Sequence, residues 1–234
     1  MFDNIFAFQT TVLSIIIITL VIIALLLVVN KKLRDFDPLS EPKGIVLLVI
    51  MGAQMVDNLV KDKTNESISK YLTPYIMSVV VYVFLSNIAG LFSLECPTSN
   101  YSVTLSLALI TCILIELYSG KERGVAGYIK SWFEPLAPMV LVNALGKVST
   151  LLSLSLRLFG NIIAGSALMQ VIYNMLQTIS NYIPVIGKIN PVSLVVAPFL
   201  HFYFDLFSGA MQAFIFIVLS VSFIGKELPT KEEE

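Results

Sequence analysis

The sequence predicts an all-α integral membrane protein on three observations: apolar runs of bilayer length, few charges, and basic residues concentrated in alternate connections. Of 234 residues, 56% are hydrophobic and only 13% charged, with a mean hydropathy of +0.85. A soluble domain carries about 25% charged residues. The net charge of −1 at pH 7 gives no reason to expect nucleic acid or another polyanion as partner. The single histidine, His201, and the two cysteines, Cys96 and Cys112, lack metal-ligand spacing, so no metal or other cofactor is expected. Cys96 sits in a polar turn beside Pro97 and Cys112 in the middle of an apolar run, which argues against a disulfide.

The elements follow in order. The first apolar run, Val12 to Val29, is long enough for a bilayer core, which needs roughly 17–25 residues. Asp3 in place of a basic cluster, and Lys31, Lys32 and Arg34 without a cleavage pattern, favour a retained span over a signal peptide. Residues 1–40 are therefore expected to be one transmembrane helix with a basic cytoplasmic turn, and residues 41–234 a second helical domain. Gly44 to Val60 is too short to cross and acquires Gln54, Asp57 and Asn58, as an interfacial helix does. Spans are expected at about 71–92 and 101–118. The stretch 136–179 would be roughly 65 Å long as helix, about twice a hydrocarbon core of roughly 30 Å. No proline falls between Met139 and Tyr182, so one long tilted helix is expected there, and another at about 192–224. The total is about five membrane-entering helices plus an interfacial one, the last two long and strongly tilted.

Basic residues orient these spans. Twelve of fifteen, from Lys31 to Lys70, Lys121 to Lys130 and at Lys226 and Lys231, share one side if there are five crossings. Lys188 alone falls opposite, and Lys147 and Arg157 fall within a span. The positive-inside rule then places the N-terminus outside and the C-terminus in the cytoplasm.

Arg157 is the costliest residue in this arrangement. Insertion scales charge about 2.5–3.5 kcal/mol for an arginine at the centre of a span, and its guanidinium cannot deprotonate. On a helical wheel Asn143, Gly146, Thr150, Ser153, Asn161 and Ala164 lie within about 40° of it, a polar face of small residues. Small residues let another helix approach closely. Something negative must meet Arg157, either Asp205 as a structural partner or a transported or passing group. On the last span His201, Asp205, Ser208 and Gln212 fall within about 60° of one another, a stripe resembling a proton relay. Glu95, Glu116 and Asn87 lie near span ends and Lys147 near the start of its helix, where reaching the interface is the simpler expectation.

Two motifs resemble a known family. Ser153-Leu-Ser-Leu-Arg157-Leu-Phe-Gly-Asn161 followed by Ala164-Gly165 resembles the signature of subunit a of the F-type ATP synthase membrane sector, and Gln212-Ala-Phe-Ile-Phe216 resembles its second motif. Weaker echoes occur at Phe84-Leu-Ser-Asn87 and from Ser102 to Ala108, and the likeness runs from about residue 40 to 225. The Arg-Leu-Phe-Gly-Asn form resembles bacterial or plastid members.

The resemblance implies a non-catalytic stator subunit in a bacterial plasma membrane or, alternatively, an organelle-encoded one in an inner membrane. It would carry H⁺ or Na⁺ through two half-channels against a rotating c-ring, beside peripheral-stalk b subunits and lipid. Arg157 would hold a ring carboxylate deprotonated and keep the half-channels apart. Asn161, Asp205, His201, Gln212, Ser208, Ser166 and Asn143 would line the path. Two departures stand out: many bacterial members have Glu where this chain has Ser166, and an acidic group where it has Asn143 and Lys147. Asp205 with His201 is expected to take over the entry path. The rival reading is an ion-coupled secondary transporter whose Arg157 binds an anionic substrate, which predicts discontinuous helices and repeats.

Overall fold

A computed structural model describes residues 3–37, 41–64, 66–92, 94–133, 138–182 and 190–227. These form seven helices: α1 (Asp3–Arg34), α2 (Ile45–Lys61), α3 (Glu66–Ile88), α4 (Tyr101–Phe133), α5 (Met139–Ser180), α6 (Pro191–His201) and α7 (Ser208–Glu227). A π-helical turn, Phe202–Phe207, joins α6 to α7 into one long rod. Five stretches are long and apolar enough to cross a membrane: Val12–Arg34, Ile68–Phe92, Tyr101–Lys121, Met139–Ser180 and Pro191–Lys226. The protein is thus an all-α, multi-pass membrane protein. The predicted residues Lys188 and Lys231, and the expected start of the fourth span at 136–137, lie outside the described residues.

The interior is built mainly on α3 and α7. Near one end, Val56 and Val60 of α2 and Ile68, Leu72 and Ile76 of α3 pack with Ile115 of α4 and Ile217, Val221 and Ile224 of α7. A second cluster joins Val79 and Val83 of α3 to Ala108 of α4, Leu154 and Leu158 of α5, and Ala213 and Phe216 of α7. These side chains bury because helices meeting in lipid gain packing where their surfaces interlock. α1 contributes little to this interior. Only 11% of its apolar window is buried, and Leu20, Leu26 and Leu27 are exposed, as a lipid-facing helix requires. On α2, Asp57 pairs with Lys61 at 2.6 Å and accepts from Thr73 Oγ1 of α3 at 3.0 Å, fastening the short helix beside the bundle. The ammonium beside it holds the Asp57 carboxyl below its ordinary value.

Three local features position the site. α4 continues past the predicted end at residue 118, because hydropathy marks a lipid boundary and not a helix end. It bends at Gly124, whose φ of 71° and ψ of 161° leave the helical region; a left-handed φ of this kind is readily adopted by glycine. α5 runs unbroken for 42 residues, as the lack of interior proline predicts. At its far end Asn190, at φ 53°, caps α6 by accepting from the Ser193 amide at 3.1 Å and from Ser180 Oγ at 2.8 Å. That double acceptance closes a helical hairpin, so α5 and the α6–α7 rod run antiparallel.

Candidate functional site

Along the antiparallel pair the polar residues of α5 and α6–α7 meet in order. His201 Nε2 lies 2.9 Å from the Tyr173 hydroxyl, and His201 Nδ1 lies 2.6 Å from Asp205 Oδ2. One turn further on, Ser208 Oγ donates to Asn161 Oδ1 at 3.2 Å. The phenol, imidazole and carboxylate thus form a continuous hydrogen-bonded chain from one helix to the other. They line a cavity of 410 Å³ with Asn161, Ser166 and Asn87. A titratable imidazole inside such a chain can pass a proton between its two nitrogens.

Asn87 corrects the expectation that it reaches the interface. It is buried, accepts from Thr98 Oγ1 at 3.0 Å, and its amide nitrogen lies 3.4 Å from the Gly209 carbonyl oxygen. This network holds α3 and the 94–100 connection against the start of α7. Cys96 sits here too, its thiol pushed above the ordinary value by burial and, further, by the negative charge of Asp205.

The expected four-residue stripe is divided. His201 and Asp205 face the cavity, while Ser208 and Gln212 do not line it. Gln212 is buried, its Nε2 without a hydrogen-bond partner among the described residues. The cause is the π-helical turn: its i→i+5 bonding inserts about one extra residue, which shifts α7 in phase by roughly 100°. A wheel with a uniform step cannot register that shift.

Arg157 projects from the middle of α5 and is exposed. Its guanidinium makes no ion pair with Asp205, whose partner is His201. The structural pair weighed from the sequence is therefore absent. Around Arg157, Gly160 and Ala164 are exposed, and a methyl group built on Gly146 or Gly160 would meet nothing within 4 Å. The small face is open. Gln212 lies at the level of Arg157, since each is four residues beyond the Asn161–Ser208 contact on antiparallel helices.

Towards the Met139 end of α5 a second, larger cavity of 770 Å³ opens, lined by Glu116, Lys121, Tyr128, Trp132, Lys147 and Thr150 among others. Here Glu116 and Lys147 depart from expectation: they do not merely reach an interface but pair at 2.5 Å across α4 and α5. The bend at Gly124 brings Tyr128 back to donate to Glu116 Oε2 at 2.6 Å, and sets the Tyr128 and Trp132 rings 5.2 and 4.7 Å from the Lys147 ammonium. Asn143, an expected path residue, instead donates to the Trp132 carbonyl at 2.9 Å and fixes the same segment. Tyr173, Tyr128 and Glu116 were not singled out from the sequence as site residues. An aromatic residue in an apolar run carries no periodic signal of its own.

Comparison with known proteins identifies the fold's relatives. The family model described as ATP synthase A chain matches residues 11–225. ATP synthase subunit a of Desulforamulus reducens is 30% identical over 182 residues, 77% of this chain and 64% of the relative's length. The sodium ion specific subunit a of Propionigenium modestum is 29% identical over 96% of this chain and 76% of its own, and a Streptococcus agalactiae subunit a is 28% identical over 97% and 94%. With nearly the whole chain matched, and both the Arg157 helix and the His201–Asp205 rod inside the matched region, the chain belongs to the ATP synthase A chain family, whose members are membrane subunits of the synthase and not its catalytic ones.

Proposed function

We propose that this chain is the ion-translocating stator of a rotary ATP synthase, with Arg157 as the barrier between two half-channels. One observation carries the reading: Arg157 is exposed and lines neither cavity, yet stands between them on one continuous helix. Asn161, the nearest α5 residue of the smaller cavity, is about 6 Å along the axis in one direction; Leu151, of the larger, is about 9 Å in the other. A 42-residue helix is about 63 Å long, so in a core of about 30 Å it lies obliquely. That obliquity supports a long line of contact with the c-ring along the open face at Gly146, Gly160 and Ala164.

The basic residues support the orientation with the C-terminus cytoplasmic, in which the Asp205 cavity opens to the outside and the Glu116 cavity to the inside. A proton entering from outside passes along Tyr173, His201 and Asp205 towards the ring. The guanidinium favours the ionised form of a passing ring carboxylate, because a fixed cation in a low-dielectric site acts strongly on a nearby anion. It also repels any cation taking the short way between cavities. Each charge crossing contributes about 2.3 kcal/mol per 100 mV. The phenol–imidazole–carboxylate chain supports H⁺ over Na⁺ as the carried ion. Asn161, Ser208 and Gln212 position the two helices at this level, and Ser166 lines the entry cavity without supplying a titratable group. Peripheral-stalk b subunits are the further partners that the family implies. The unbroken α5 supports this reading over a secondary transporter built from discontinuous helices.

The test is coupled transport by the assembled synthase in membrane vesicles. Arg157→Ala abolishes ATP-driven ion pumping, and Asp205→Asn lowers it at least tenfold. A coupled Arg157→Ala synthase would sink the barrier role, and normal pumping by Asp205→Asn would remove the relay. Pumping that requires added Na⁺ would overturn the assignment of H⁺.

A further inference from the structure

We propose that Glu116, supplied by α4 and held by Lys147 of α5, is the proton-exchanging group of the larger cavity, on its way to the cytoplasm. This deepens the stator reading and rests on it. Glu116 is the only carboxylate among the described residues lining that cavity. Asn143 cannot serve, because it is an amide engaged with the backbone at Trp132. The pair is not sealed in the protein: the Glu116 and Lys147 side chains keep 30% and 20% of their surface accessible. Both hydrogen bonds described for Glu116 fall on Oε2, from Tyr128 and Lys147, which leaves Oε1 to accept a proton.

The neighbourhood suits repeated exchange. Lys147 and Lys121 bring positive charge to the cavity, Tyr128 donates a hydrogen bond, and Cys112 lies on the Glu116 helix. From α7 the lining group is the apolar Phe223. Without Glu116, two ammonium groups would face any cation leaving the ring, and like charge repels it. Burial, and then the bond to Glu116, push the Tyr128 phenol above its ordinary value, so it remains a donor. In the exchange, a proton released at the ring-facing side bonds to Glu116 Oε1 and then leaves to water at the cytoplasmic side.

The experiment uses the whole synthase in proteoliposomes. Passive proton conduction is measured after removal of the catalytic sector, with pH varied on the cytoplasmic side, and ATP-driven pumping is measured before it. Glu116→Gln lowers conduction at least tenfold and flattens its dependence on cytoplasmic-side pH, and Glu116→Asp restores most of both. Removing one partner of a part-buried pair also strains the fold, so the charge-free double variant Glu116→Gln/Lys147→Met is measured alongside. It stays poorly conducting if Glu116 exchanges protons, and conducts like wild type if the pair is only structural, which overturns the proposal. A Glu116→Gln synthase with unchanged conduction and pH profile, or a loss that Glu116→Asp does not relieve, overturns it too. Arg157→Ala separates the two claims. If it stays coupled, the stator reading fails; if it uncouples while Glu116→Gln conducts normally, only the role of Glu116 fails.

Discussion

Asp205 shows how one carboxylate takes its meaning from three parts of the fold. Its own rod supplies His201 at 2.6 Å, α5 supplies Tyr173 through that imidazole, and the 94–100 connection brings the Cys96 thiol close enough to feel its charge. Cys96 is therefore a reporter for the cavity. Its folded pKa lies above the ordinary 9.0, chiefly through burial, so the thiol stays protonated over a wider range than a free one. In a Cys112→Ser background, maleimide labelling of Cys96 should be slow near pH 8 and rise only beyond pH about 9, where thiolate forms. Asp205→Asn removes a charge that raises the pKa, so the rise should move to lower pH; an unmoved profile would separate Cys96 from Asp205. Of these side chains, Asp205 and His201 were legible in the sequence because charge in an apolar run is conspicuous. Tyr173 was not, since a tyrosine there reads as ordinary lipid-facing surface until the antiparallel hairpin sets it opposite His201.

At the scale of elements, helix–helix distance decides whether the cavity forms. α3 and α7 approach so closely that a methyl group on Gly209 would lie 2.9 Å from Asn87 Cβ, nearer than real Cβ atoms tolerate. Gly209→Ala should therefore destabilise the subunit by about 1–3 kcal/mol, the usual cost of overpacking, seen as a lowered melting temperature. Gly160→Ala makes the comparison sharp: it meets nothing within 4 Å, and alanine in a helix is favoured over glycine by roughly 0.5–1 kcal/mol. Its melting temperature should hold or rise. The sequence predicted the helices themselves well, because apolar runs and the missing prolines of α5 are strong local signals. It could not predict the π-helical turn at Phe202–Phe207 or the bend at Gly124. Each depends on a single step of the backbone, which leaves the hydrophobic pattern on either side unchanged. Those two steps separated Gln212 from the His201 cavity and carried Tyr128 and Trp132 back to Lys147.

For the whole molecule, the placing of cavities matters more than any one residue: one cavity opens on each side of Arg157 along the unbroken α5, and the guanidinium between them pairs with no carboxylate among the described residues. If that open face meets the c-ring, Gly160→Cys should form a disulfide with a cysteine placed beside the ring carboxylate in the assembled synthase, while Leu20→Cys on the lipid-facing α1 should not. Cross-linking at both positions, or at neither, would refute the docking face. The open face also has a consequence for how the chain survives before it has neighbours. If, as proposed, its counter-charge lies on another protein, the newly inserted chain carries an arginine in hydrocarbon, a cost of about 2.5–3.5 kcal/mol that no ion pair among the described residues offsets. On that reading, α5 would relieve the cost before the ring arrives by shifting in depth or by drawing lipid phosphates and water inwards. The folded depth of the subunit would then be a property of the assembly, and the order in which its parts enter the membrane would become part of its folding pathway.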